Sequence, residues 1–61
     1  MNFRELDKLA KKNGWYEVDT EGSHHHYKHP EIPGKLTIPD HGGKDLKIKT
    51  VNNILKWLGL K

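Results

Sequence analysis

Trp15-Tyr16-Glu17-Val18-Asp19-Thr20-Glu21-Gly22-Ser23-His24-His25-His26-Tyr27-Lys28-His29-Pro30 is the stretch on which the fold depends. Residues 15–20 concentrate aromatic and β-branched side chains, the composition of a strand. Glu21-Gly22-Ser23 forms a turn, with Gly22 supplying the backbone freedom, and residues 24–29 read as a second strand. Pro30-Glu31-Ile32-Pro33-Gly34 is a punctuated loop that cannot be a central strand. Lys35-Leu36-Thr37-Ile38-Pro39 then alternates apolar with polar, as a half-buried strand does. Connections this short make an antiparallel meander the natural pairing.

A helix is expected on either side of the strands. On the N-terminal side Asn2 caps and Glu5 lies three residues on, as in a capping box. Phe3, Leu6, Leu9 and Ala10 then form one apolar stripe. Lys8, Lys11 and Lys12 complement the dipole at its C-terminal end, and Asn13-Gly14 stops it. On the C-terminal side residues 40–49 are polar and glycine-bearing, with Leu46 and Ile48 as expected anchors. Thr50 is the expected cap of a last helix whose stripe is Val51, Ile54, Leu55 and Leu58. Gly59 suits the left-handed position after it, and Leu60 can fold back on Leu55. The expected fold is α+β, in the order α-β-β-β-α. Both helices pack on one face of a three-stranded antiparallel sheet, in one domain over residues 1–61. The opposite sheet face stays open to solvent, a partner or a ligand.

Composition narrows the chemistry. Sixty-one residues are too few for two domains, and about 60% of the unfolded chain's surface can be buried at this size. The absence of cysteine removes disulfides, thiolate zinc sites, cysteine nucleophiles and iron–sulfur clusters together. No apolar run is long enough to span a membrane, and Met1–Glu5 lacks a signal-peptide core, so a cytoplasmic location is expected. Net charge is +3, unevenly spread. Residues 1–27 carry four cations against five anions, and residues 28–61 carry seven lysines against three anions. A basic half favours polyanions, although lysines also serve simply to solubilise a small surface.

All five histidines lie between positions 24 and 41. Strand alternation puts His24, His26 and Lys28 on one face and His25, Tyr27 and His29 on the other. Three readings compete for them. Histidines can fill a half-exposed strand without chemistry. His24 and His26, with His41 or Asp40, can approach a Zn²⁺, but the spacing matches no recognised zinc signature and no metal is expected. Neutral imidazole can also take a proton from a ribose 2′-hydroxyl, with lysines stabilising charge on the phosphate. Ser23 invites a nucleophile role but lacks an oriented carboxylate partner. His25 and His29 are expected to be solvated or partner-facing, Trp15 to be core, and Trp57 to cover a core edge, stack on a base or meet a partner.

Gly22-Ser23-His24-His25-His26-Tyr27-Lys28-His29-Pro30, Thr37-Ile38-Pro39-Asp40-His41, Lys49-Thr50-Val51 with Ile54-Leu55-Lys56, and Gly59-Leu60 occur in order at fitting spacing. With the helix ending in Gly14-Trp15, they resemble the HicA toxin family over nearly the whole chain. The resemblance implies a double-stranded-RNA-binding-domain-like fold and a metal-independent, ribosome-independent mRNA interferase without cofactor. It also implies a hetero-oligomeric complex in which a HicB antitoxin covers the active site. The family's catalytic histidine, the one after the Gly-Ser pair, falls on His24, with Gly22 and Ser23 as the supporting turn. Lys28, Lys44, Lys47, Lys49 and His41 are the expected RNA contacts. His26, where an apolar residue is expected, and Trp57, where a polar one is unsurprising, depart from the pattern. The alternative from another class is a non-catalytic RNA-binding module of the same fold, reading duplex RNA through Lys44, Lys47 and Lys49 before the last helix.

Overall fold

The computed structural model describes residues 1–61. The chain runs α1 (Phe3–Lys12), β1 (Tyr16–Glu21), β2 (His24–Lys28), β3 (Leu36–Pro39) and α2 (Ile48–Trp57). This is the expected α-β-β-β-α order. The strands form one antiparallel sheet in the order β1-β2-β3. Gly22 and Ser23 are the whole β1–β2 connection, and Gly22 at φ +58° with no positive φ at Ser23 has the signs of a type II′ hairpin turn. Observed strands start or stop one residue inside the expected ranges at Trp15, His29 and Lys35, because the ladder pairs only Tyr16–Lys28 and Tyr27–Leu36 at those ends. β1 also carries a bulge between Glu17 and Asp19, which sequence alternation does not reveal.

Helix ends follow local chemistry in three of four cases. Asn2 and Glu5 make the reciprocal capping box, each bond 3.0 Å long. After α1, Gly14 (φ +92°) donates to Lys11 O and Trp15 donates to Ala10 O, the paired bonds of a Schellman ending. After α2, Gly59 donates to Lys56 O and Leu60 to Leu55 O in the same way. The fourth end corrects the expectation at Thr50. Lys47, in an extended conformation without a side-chain capping bond, is the N-cap, and its carbonyl accepts the Val51 N–H. Thr50 therefore lies in the first turn. Ile48 is also corrected: it is 73% exposed, because Leu46 in the preceding extended segment takes the anchoring place.

Leu6 and Ala10 of α1, Trp15, Tyr27, Leu36, Ile38, Leu46, and Val51, Ile54 and Leu58 of α2 form one buried cluster. Both helices pack on β3, α1 also reaches β2 through the Asp7–Tyr27 bond and the Phe3–His25 ring contact, and β1 is exposed along its length. The molecule is a slab of 30 × 26 × 17 Å, the thickness of one sheet and one helix layer. Its uncovered sheet face presents His24, His26 and Lys28 from β2, register partners Glu21, Asp19 and Tyr16 from β1, and Thr37 and Pro39 from β3. Side-chain alternation thus separates a core face, holding Tyr27, Leu36 and Ile38, from an open polar one.

Candidate active site

The core-side histidines are structural. His25 packs on the Phe3 ring with centroids 4.3 Å apart. Its Nδ1–H donates to Glu17 Oε2 at 3.0 Å, and Nε2 lies 3.8 Å from Asp40. Hydrogen bonds from Thr20 first and His25 second hold the Glu17 carboxyl below the usual carboxylate range. His29 Nε2–H donates to Asn13 O, Nδ1 accepts the Glu31 N–H, and the ring meets Trp15 edge-on. Of the expectation that His25 and His29 are solvated or partner-facing, these contacts correct the first part: packing from α1 and the α1–β1 turn partly covers both. Tyr27, fully buried, donates its hydroxyl to Asp7 at 2.6 Å. Burial, and then that bond to a carboxylate, pushes the phenol's pKa far above its ordinary value.

On the open face His26 is also fully engaged. Nε2–H donates to Glu21 Oε1 at 3.1 Å and Nδ1 accepts from Thr37 Oγ1 at 2.8 Å, so only 9% of the residue is exposed. Cross-strand neighbours on the open polar face thus bury a histidine where an apolar residue was expected. His24, two residues earlier on the same face, is exposed, and neither ring nitrogen bonds anything in the protein. It stands at the start of β2 immediately after Gly22-Ser23, opposite Glu21 and Pro39. Ser23 O accepts the Asp40 N–H at 2.7 Å, which ties the exit of β3 to this turn. His41 follows directly, exposed and likewise without a side-chain partner.

The expected lysines divide into three places. Lys28 is exposed at the far end of β2, about 13 Å along the strand from His24. Lys44 closes a turn onto His41 O, which keeps it at the His24 end of the sheet. Lys47 and Lys49 open α2 in the other layer, where Lys49, Thr50, Asn52, Asn53 and Lys56 line a shallow polar groove. No three histidine, aspartate or glutamate side chains converge in a metal-holding arrangement. Trp57 packs edge-to-face on Trp15 at 5.9 Å and against Gly34 while remaining 38% exposed, so it covers a core edge. Sequence reasoning missed the Glu21–His26–Thr37 and Glu17–His25–Asp40 sets, since their members come from three strands and a loop. Only the strand register, had it been known, could have signalled them.

A family profile described as the HicA toxin of bacterial toxin–antitoxin systems matches residues 3–60. No curated protein matches the chain. No helix is long and apolar enough to cross a membrane.

Proposed function

The chain belongs to the HicA toxin family of bacterial toxin–antitoxin modules, and on that premise we propose that it is a toxin endoribonuclease that cleaves mRNA and blocks translation. The observation that carries the reading is the state of His24: exposed, unpartnered, on an open sheet face, beside a turn built by Gly22 and Ser23. As a neutral imidazole it takes the proton from a ribose 2′-hydroxyl, which attacks the adjacent phosphorus. The products are a 2′,3′-cyclic phosphate and a new 5′-end. Lys28 and Lys44 receive the phosphates along the open face, and Lys47 and Lys49 add to the basic field. A HicB-type antitoxin neutralises the toxin by covering the same face in a hetero-oligomeric complex in the cytoplasm, and residues 1–61 form one domain.

Replacing His24 with Ala tests this directly. The variant is expected to lose growth arrest and RNA cleavage while keeping the circular dichroism of the parent and its capture of the antitoxin. A fully toxic variant ends the assignment. Cleavage is expected to persist in EDTA, and loss reversed by Zn²⁺ would return a metal to the mechanism. One observation favours the non-catalytic alternative: α2 starts with free backbone N–H groups, no acidic residue in its first turn, and Lys47 and Lys49 at hand, which suits a phosphate. Gel shifts on duplex RNA without strand scission would support it.

A further inference from the structure

A base at the 2′-hydroxyl completes half of a transesterification; the departing 5′-oxygen still needs a proton. We propose that His41 supplies it, an inference that rests on the RNA-cleaving reading of His24 and completes that same site.

Availability is the first argument. His25, His26 and His29 commit ring nitrogens to Glu17, to Glu21 and Thr37, and to Asn13 and Glu31, respectively. His24 and His41 alone are exposed and free of side-chain partners. Placement is the second. His24 lies opposite Pro39 in the β2–β3 ladder, and the Asp40 N–H is bonded to Ser23 O, so the chain leaves β3 alongside the His24 turn. Opposed Cα atoms in such a ladder are ~5 Å apart and two further residues span at most ~7 Å, which keeps the two histidine Cα atoms within roughly 12 Å of each other. That distance lets two imidazoles reach opposite oxygens of one phosphodiester.

Direction is the third. Asp40 turns its carboxylate to the helix side, where it lies 3.8 Å from His25 Nε2 and accepts the Gly42 N–H at 3.0 Å. Pro39, opposite His24, takes the other side, and His41 is the exposed residue that follows Asp40. In agreement, the cleft beside the start of α1 is lined by Asp40, Gly42 and Gly43 and not by His41. Other donors do not serve. Tyr27 is buried on Asp7, Glu21 is bonded to His26, and Lys28 is about 13 Å away along the strand. Lys44 sits on the same turn through its backbone N–H to His41 O, and its side chain serves as a charge.

The step balances. His24 accepts the 2′-hydroxyl proton as the 2′-oxygen–phosphorus bond forms. The bond from phosphorus to the 5′-oxygen breaks, and the His41 imidazolium gives its proton to that oxygen. The cyclic phosphate and a 5′-hydroxyl leave, and proton exchange with water returns both rings to their starting states.

The test uses an RNA in which sulfur replaces the bridging 5′-oxygen at a cleavage position first mapped with the parent protein on an mRNA transcript. Sulfur departs as a thiolate and needs no acid. His41→Ala and His41→Gln are expected to cut the all-oxygen RNA about 10²–10⁴-fold more slowly, yet to cut the sulfur-bridged RNA within about 10-fold of the parent. His24→Ala is expected to be slow on both. Parental rates for His41→Ala on the oxygen substrate, or equal slowing on both substrates, overturn the acid role and leave His24 standing. Absence of any cleavage by the parent protein overturns both.

Discussion

Glu21 and Thr37 hold the His26 ring by both nitrogens, and that occupation separates it from the unpartnered His24 two residues away on the same face. His26→Leu is therefore expected to keep RNA cleavage within a few-fold of the parent, and to cost about 1 kcal/mol for the lost hydrogen bonds, read by urea denaturation. A loss matching that of His24→Ala would show that the two rings act together. Tyr27 makes the opposite kind of prediction. Its phenol pKa is raised above the ordinary 10.0 by burial and by the Asp7 carboxylate, so the neutral hydroxyl's contribution is fully present below about pH 10 and is lost as pH rises beyond it. Stability should fall steeply in alkali, and Tyr27→Phe should flatten that slope while costing roughly 1.5–3 kcal/mol at neutral pH. The choice of His24 as the proposed base came only from the family resemblance. Residue by residue the five rings look alike, because, Glu31 beside His29 apart, the groups bonded to them lie 5, 8, 11 and 16 positions away in sequence.

Elements announce themselves where their ends are built from adjacent residues. The Asn2–Glu5 box and the two glycine endings at Gly14 and Gly59 depend on groups within a few positions, and each was readable beforehand. The start of α2 was not, because its cap uses backbone conformation without a side chain, and a plausible Thr50 lay nearby. That uncapped start yields a prediction. Lys47→Asp supplies a capping carboxylate and a favourable charge at the positive end of the dipole, so stability should rise by about 1 kcal/mol. If α2 also receives phosphate, the same change weakens RNA binding, and a variant that gains stability without losing affinity would take this helix out of the interface. Gly14 tests the other helix. A Cβ there would sit 2.7 Å from His29 Nε2 at a φ of +92°, so Gly14→Ala should lower stability by more than the roughly 1–2 kcal/mol of left-handed strain alone. Gly22→Ala, where a Cβ would meet nothing within 4 Å, should cost only that strain.

Folding a chain of uneven charge into two layers decides where a polyanion can lie. Helices occupy one side of the sheet, so the open side belongs to β-strand side chains, and the basic second half of the chain feeds it Lys28 and, through the turn after β3, Lys44. The strand order followed from pattern and short connections, whereas which face the helices cover, and which lysines reach the open one, required the register. If RNA crosses the open face as a single strand, each phosphate neutralised there releases counterions and adds about 0.7 to the slope of log K against log salt. Binding measured on a His24→Ala background, which keeps the RNA intact, should therefore lose about 0.7 of slope when Lys28 becomes Gln. Lys12→Gln removes the same charge from the end of α1 in the helix layer, and should leave the slope unchanged. Equal changes from both substitutions would mean that the RNA responds to net charge and follows no track across the sheet, leaving His24 without a strand to act on.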